Sequence, residues 1–275
     1  MTLRWKRDTK IAFVPTMGAL HAGHLKLVES AQRFGQKVIV SIFVNPLQFG
    51  AGEDLEKYPR PFEADREKLE ALGVDLLVHP TAKDFYPEGF SSKVRVEGLS
   101  EHLCGKSRPG HFEGVATVCL KLFQVTQADF AIFGEKDFQQ LRVLQQMASD
   151  LNLPLTIVPE PTIREEDGLA LSSRNQYLSA EQRSLASKIP SAWRRAQALA
   201  AARDGATVAD VLAAAAAELE SAQIKIDYLN VAPERTLVPS SATTVLSTIP
   251  MPRLFIAAHI GQTRLIDNAP LKELS

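Results

Sequence analysis

Short apolar runs alternate with amphipathic stretches through the first half of this chain, and that alternation restricts it to few folds. Runs rich in β-branched and aromatic residues occupy positions 11–15, 38–44, 74–79, 130–133 and 156–158. Helical periodicity fills the intervals at 25–34, 62–72, 115–125 and 138–151. Strands that are continuously apolar are buried on both faces, and strands separated by helices return in the same direction. The expected architecture is therefore α/β, a Rossmann-like doubly wound parallel sheet. Ligands of such sheets bind beyond the carboxyl ends of the strands. Polar segments fall at those ends, at 16–24, 45–52 and 134–140.

After about Ile163 the alternation stops. Ser179 with Gln182, and Thr207 with Asp210, form capping-box pairs that open Ala-rich helices near 180–203 and 208–221, the first interrupted by Pro190. Strand-like segments follow at 224–231, 243–246, 254–260 and 263–266. Helices followed by strands without alternation predict a small α+β domain with an antiparallel sheet. The expected division is thus a Rossmann-like domain over 1–163 and a smaller domain over 164–275.

A chain of 275 residues is long enough for two cores. Its net charge of −1 argues against wholesale binding to nucleic acid or an anionic membrane surface. No apolar stretch approaches the ~20 residues of a membrane span, and residues 1–10 are basic and polar, without a signal segment. Cys104 and Cys119 have neither metal-site spacing nor a disulfide-rich context, which predicts free thiols in a reducing, cytoplasmic setting.

The residues with chemical potential lie at the strand ends. His21-Ala22-Gly23-His24 follows the first strand and the turn Thr16-Met17-Gly18. A helix N-terminus there offers unpaired N–H groups and the positive end of the dipole, and imidazoles three residues apart share one face. His21 and His24 can so reach one phosphate chain, or serve only as a helix cap. Gly134-Glu135-Lys136-Asp137 puts a cation at a helix N-terminus, where the dipole disfavours it; such a broken local rule points to a phosphate, or to a solvated Glu–Lys pair. Leu171-Ser172-Ser173-Arg174-Asn175 can act as a phosphate clamp or as a plain Ser-rich linker. Gln48 and Gln140 offer amides that donate and accept together, suited to a small hydroxy acid, with Phe49 and Met17 as an apolar wall. Arg108-Pro109-Gly110-His111 is a turn that approaches phosphate or is an ordinary loop. These residues make ATP chemistry the working hypothesis and leave open a nucleotidyltransferase and a non-catalytic nucleotide sensor.

Taken together and in order, these segments resemble one family. Pro15-Thr16-Met17-Gly18-Ala19-Leu20-His21-Ala22-Gly23-His24, Phe43-Val44-Asn45-Pro46-Leu47-Gln48-Phe49, Pro109-Gly110-His111-Phe112-Glu113-Gly114-Val115, Phe133-Gly134-Glu135-Lys136-Asp137 and Leu171-Ser172-Ser173-Arg174-Asn175 resemble the pantoate–β-alanine ligases, within the H-x-G-H nucleotidyltransferase-like superfamily. The resemblance runs from about Lys10 to Asn268. Members usually carry a longer segment before the first strand, and methionine is common where Leu171 stands, a volume-conserving exchange.

The resemblance implies ATP- and Mg²⁺-dependent condensation of pantoate with β-alanine through pantoyl adenylate, by a cytoplasmic homodimer whose smaller domain acts as a lid. It implies ATP binding by Met17, Gly18, Ala19, Leu20, His21, Ala22, Gly23 and His24. Gly134, Glu135, Lys136 and Asp137 would join them, with Ile163 beside adenine and Leu171, Ser172, Ser173 and Arg174 completing the site. Among these, His21, His24, Lys136, Ser172, Ser173 and Arg174 are the expected catalytic groups. Gln48 and Gln140 are expected to hold pantoate, with Gln48 also near β-alanine. Asp65 and Asp137 are the expected Mg²⁺ carboxylates.

Overall fold

The computed structural model describes residues 8–50, 52, 53 and 55–272, so the basic opening segment lies outside the described residues as far as position 7. Two compact units are formed. One comprises the chain up to Ser100, Arg108–Glu135 and Gln140–Ile163; the other comprises Glu101–Ser107, Lys136–Gln139 and Arg164–Ser275. The short pieces 101–107 and 136–139 belong with the C-terminal unit, an assignment that a linear division of the sequence at 163 does not contain.

The first unit is built in the order β1 (Ile11–Thr16), α1 (Ala22–Phe34), β2 (Lys37–Ile42), α2 (Phe62–Ala71), β3 (Leu76–Val78) and α3 (Ala82–Phe85). After α4 (Cys104–Ser107), which belongs to the other unit, come α5 (His111–Thr126), β4 (Phe130–Gly134), α6 (Phe138–Asp150), whose first two residues also belong to the other unit, and β5 (Thr156–Glu160). The strands pair in parallel in the order β3-β2-β1-β4-β5. Ile11, Ala12, Phe13 and Val14 are fully buried, as a central strand covered on both faces requires. From β1 the chain steps outward to β2 and β3, then crosses back to place β4 on the other side of β1. That reversal is the topological switch point, the place beyond the strand ends where open sheets of this class bind ligands. The segments after β1 and β4 are the ones that carry His21, His24, Gly134 and Glu135.

The β3 segment is shorter than its apolar run over 74–79. The Val74 amide instead closes the end of α2 on the Leu69 carbonyl, after Gly73 turns at φ 69°, and the His79 Nδ1 bonds the Ile42 carbonyl at 2.7 Å.

The second unit continues with α7 (Ala180–Ala186), α8 (Lys188–Ala202), α9 (Val208–Leu219), β6 (Ile224–Pro233), β7 (Pro252–Ile260) and β8 (Thr263–Pro270). The strands form an antiparallel sheet, β6-β7-β8. Both expected capping boxes form, at Ser179/Gln182 and Thr207/Asp210. The break expected at Pro190 falls at Ser187. A proline ring excludes the carbonyl of the residue four before it, here Ala186, and proline is tolerated in the first turn of the helix that restarts. Leu254, Ile256, Ala258 and Ile260 of β7 pack against Ala192 and Ala196 of α8 and Val211, Ala215 and Leu219 of α9.

The strand expected over 243–246 does not form. The carbonyls of Ala242 and Thr244 accept the amides of Ala209 and Val208, and the Leu246 amide bonds Ala206. The segment satisfies the first turn of α9 instead of pairing with the sheet.

Candidate active site

The loop between β1 and α1 is fixed from several sides. The Thr16 hydroxyl donates to the Ser41 carbonyl (2.7 Å) and accepts from the Gly18 amide (3.2 Å). Gly18 has φ 84° and Ala19 φ 51°, so two successive residues occupy left-handed backbone. Gly18 is the residue that permits this: a Cβ there would stand 3.1 Å from Ile42 and 3.2 Å from the Asp65 carboxylate. The turn aims the amides of Ala19 and Leu20 at Asp65, which accepts them at 2.7 and 2.8 Å. Lys68, one turn further along α2, donates to the Leu20 carbonyl at 2.7 Å.

His21 caps α1. Its Nδ1 accepts the Gly23 amide at 3.2 Å, and the Nδ1 of His24 accepts the His21 amide at 3.4 Å, a capping box made of two imidazoles. The rings lie 4.1 Å apart between centroids. With Nδ1 accepting in both, the neutral rings carry their proton on Nε2. Capping and phosphate binding are thus compatible tasks: one nitrogen of each ring orients it, and the other is a donor.

Gln48 ends a 3-10 turn, 46–48, just past β2. Its Oε1 accepts from Asn45 Nδ2 at 3.0 Å, and its Nε2 donates to the Met17 Sδ at 3.2 Å. The expected ATP loop and the expected pantoate amide are therefore in contact. Asn45, 1% exposed, also donates to the Gly114 carbonyl and accepts from the Tyr86 hydroxyl at 2.7 Å. Burial pushes the Tyr86 phenol above its usual range, which keeps it a donor. Close approach of α5 to this turn depends on Gly114, where a Cβ would overlap the Leu47 carbonyl oxygen. Below Gln48, its carbonyl accepts from His111 Nδ1 (2.8 Å) and Arg108 (3.3 Å). Arg108 is bound through Nε and Nη2 to Glu53. Burial raises the Glu53 pKa, but its hydrogen bonds with Arg108 and that residue's charge outweigh it, leaving the carboxyl below its ordinary value. Arg108 and His111 hold a loop.

Glu135 lies with Lys136 and Asp137 in the 3-10 turn after β4, and Gln140 is half-buried in the first turn of α6. Ile163, half-buried, follows β5.

In the C-terminal unit, Lys136 is largely covered, with its Nζ 3.6 Å from the half-exposed Asp137 carboxylate. Ser172 caps the 3-10 turn Ser173–Tyr177 by accepting the Arg174 amide at 3.2 Å. The segment leading to it is held by ion pairs: Arg183 binds Glu165 and Asp167, and Arg164 binds Asp267. Asn175 donates to Glu165 and to the Ala170 carbonyl. Leu171 to Arg174 are half-buried.

Asp65, expected as a Mg²⁺ carboxylate, is engaged by the backbone. At 1% exposure, with each carboxylate oxygen on a backbone amide, it shapes the loop of the helix cap. Sequence reading missed Asn45, although Asn before Pro-x-x is the signature of a capped turn; the side chain indeed accepts the Leu47 amide. It also missed Lys68 and Tyr86, for which no local signal exists.

The comparisons with known proteins agree with one another. The sequence model of the family described as Pantoate-beta-alanine ligase matches residues 1–270. A pantothenate synthetase of Pseudomonas entomophila (strain L48) is 52% identical over 263 residues, covering 94% of this chain and 89% of that protein. The crystal structure of pantothenate synthetase from Thermus thermophilus matches with a TM-score of 0.90 at 46% identity, covering 96% of this chain and 94% of that one. That of pantoate-beta-alanine ligase from Francisella tularensis, complexed with beta-gamma ATP and beta-alanine, matches with a TM-score of 0.79 at 35% identity, covering 97% and 92%. With a family match over nearly the whole chain, a fold shared with solved members and the motif residues at the ends of β1, β2 and β4, this chain is an enzyme that belongs to the pantoate–β-alanine ligase family.

Proposed function

We propose that these residues divide the work of ATP-dependent pantothenate formation as follows. Pantoate's carboxylate attacks the α-phosphorus of ATP, the bond from that phosphorus to the β-phosphate oxygen breaks, and pyrophosphate leaves. The amine of β-alanine then attacks the acyl carbon of pantoyl adenylate, the carbon–oxygen bond breaks, AMP leaves, and the nitrogen loses a proton. The substrates supply both nucleophiles. The protein's tasks are to orient them, to stabilise charge on phosphate oxygens and to exclude water from the adenylate.

The observation that carries this reading is the paired histidine cap. Both rings are anchored through Nδ1 at the N-terminus of α1, so their Nε2 donors and the helix dipole serve the same anion. His24 donates to the phosphates as charge develops on the leaving group, with His21 beside it. Met17 to Ala22 and Gly23 line the nucleotide, and Gly134, Glu135 and Ile163 lie along its other side. Lys136 holds the β- and γ-phosphates, while Ser172, Ser173 and Arg174, following Leu171, close on them as part of the lid domain. Gln48, its amide oriented by Asn45 and Met17, binds pantoate with Gln140 and lies near β-alanine.

Mg²⁺ suits this donor set as a phosphate-borne ion. Among the described residues no three His, Cys, Asp or Glu side chains gather to hold a metal. Mg²⁺ takes one or two carboxylates and fills its shell with water and substrate phosphates, and Asp137, half-exposed beside Lys136, is the carboxylate we assign to it. When bound, it would neutralise charge on the phosphate oxygens. Asp65 stays in its structural role. A homodimer working in the cytoplasm completes the reading. The cytoplasmic setting is supported by Cys104 and Cys119, both buried and neither in a disulfide; among the described residues no helix is long and apolar enough to cross a membrane.

Pantoate-dependent exchange of labelled pyrophosphate into ATP, without β-alanine, tests the first step. Exchange is expected; its absence, with AMP released only when all three substrates are present, would favour a concerted reaction. A stable nucleotidylated product insensitive to amine would indicate a nucleotidyltransferase.

A further inference from the structure

Asp267 and Asn268 are neighbours on β8, both buried, at 3% and 4% exposure. Neighbouring residues on a strand face opposite sides of the sheet. Asp267 pairs in register with Ile256, whose side chain belongs to the core beneath α8 and α9; Asn268 pairs with Phe255, whose ring meets Phe138 at the start of α6. Each neighbour reaches a different nucleotide-binding segment. On one face, the Asp267 carboxylate accepts both Nη atoms of Arg164, at 2.7 and 3.0 Å. Arg164 also donates to the Gly168 carbonyl and pairs with Ala170 in an antiparallel bridge, fixing the approach to Ser172, Ser173 and Arg174. On the other face, Asn268 Nδ2 donates to the Lys136 carbonyl at 3.0 Å. Its Oδ1 accepts from Arg253, which pairs with Glu234 and lies 4.0 Å over the Phe138 ring. The 136–138 segment is so gripped at a carbonyl and at a ring.

Buried polar side chains are costly unless fully engaged, and the ladder of β8 needs neither group. We propose that Asp267 and Asn268 are positioning residues for adenylation, a shared anchor that sets Lys136 and the Ser172–Arg174 segment in one frame. The inference rests on the phosphate-binding roles assigned above.

Asn268→Asp tests it. The replacement keeps the size and the acceptor for Arg253, but turns an oxygen toward the Lys136 carbonyl in place of the donor. The expected result is a folded protein with a modestly lowered melting temperature, and pantoate-dependent pyrophosphate–ATP exchange, measured well below that temperature, slowed roughly 10- to 100-fold, the scale of a misplaced catalytic group. The KM for pantoate should stay within about twofold, because a uniform binding contribution is not what is lost. Arg253→Lys, which weakens the grip on Asn268 from behind, should give the same pattern less severely and covers the case in which Asn268→Asp fails to fold. Lys136→Ala is run alongside. If it abolishes exchange while well-folded Asn268→Asp, or Arg253→Lys in its place, exchanges normally, the anchor is refuted. If Lys136→Ala exchanges normally, the phosphate role of Lys136 is refuted, and the anchor's function with it.

Discussion

The carboxylate of Asp65 accepts the amide of Leu20 at 2.8 Å across 45 positions of sequence, and it braces the left-handed turn of the loop between β1 and α1. Removing a buried, charged acceptor leaves the amides of Ala19 and Leu20 without it. Asp65→Ala should therefore cost about 1–3 kcal/mol in urea denaturation. It should raise the KM for ATP while leaving that for pantoate nearly unchanged. Asp65→Asn, which keeps one acceptor, should fall between. Parental stability and KM in Asp65→Ala would contradict this role.

Gly114 controls how closely α5 meets the turn that carries Gln48. A methyl group there would overlap the Leu47 carbonyl, so α5 or the turn must move. Gly114→Ala should lose about 1–3 kcal/mol, the usual cost of overpacking. Pantoate, not ATP, should show the larger rise in KM.

Asp167 supports the Ser172–Arg174 segment from outside. Its hydrogen bond with Arg183 holds its carboxyl below the usual range against the opposing effect of burial. A carboxyl depressed in the folded state contributes stability that is full above its unfolded pKa, about 3.9, and is lost as pH falls through the lower folded value. Carbon-13 titration should show Asp167 ionising below that reference, and Arg183→Gln should move it back up. An unshifted Asp167 in the parent would remove the pairing as a support of this segment.

Neither His24 nor Lys136 contributes to a hydrophobic core, and both are assigned to developing phosphate charge. His24→Ala and Lys136→Ala should each lower turnover by about 10²–10³-fold, the usual loss of one transition-state donor. Circular dichroism should stay close to the parent's in both, and melting too for Lys136→Ala, while His24→Ala also loses its half of the α1 cap, about 0.5–2 kcal/mol. Near-normal turnover in either variant would remove its role.

The parallel sheet was legible because burial on both faces writes itself into sequence as uninterrupted apolar runs, as at 11–14 and 38–42. The capping boxes at Ser179 and Thr207 were legible for a similar reason, since a cap is a local contract between residues three apart. What sequence withheld is non-local. The 243–246 run has strand composition, yet its carbonyls serve α9. Asp65 resembles any carboxylate of a helix's first turn until Gly18 and Ala19 bend their neighbours' amides toward it. The His21–His24 pair was legible as chemistry, but the nitrogen each ring commits to the backbone was not. Lys136 and Arg174 were singled out by motif, while Asn268 and Asp267, which hold Lys136 and Arg164, lie 132 and 103 positions further on.

Pantoate labelled with oxygen-18 in its carboxylate gives the most direct test of the reaction assigned here, with AMP analysed by mass after turnover with ATP and β-alanine. Attack of that carboxylate on the α-phosphorus transfers one labelled oxygen to AMP, and one label per AMP is the expected result. AMP free of label, with the oxygen expelled from the carboxylate found in pyrophosphate or in water, would contradict pantoyl adenylate as the intermediate.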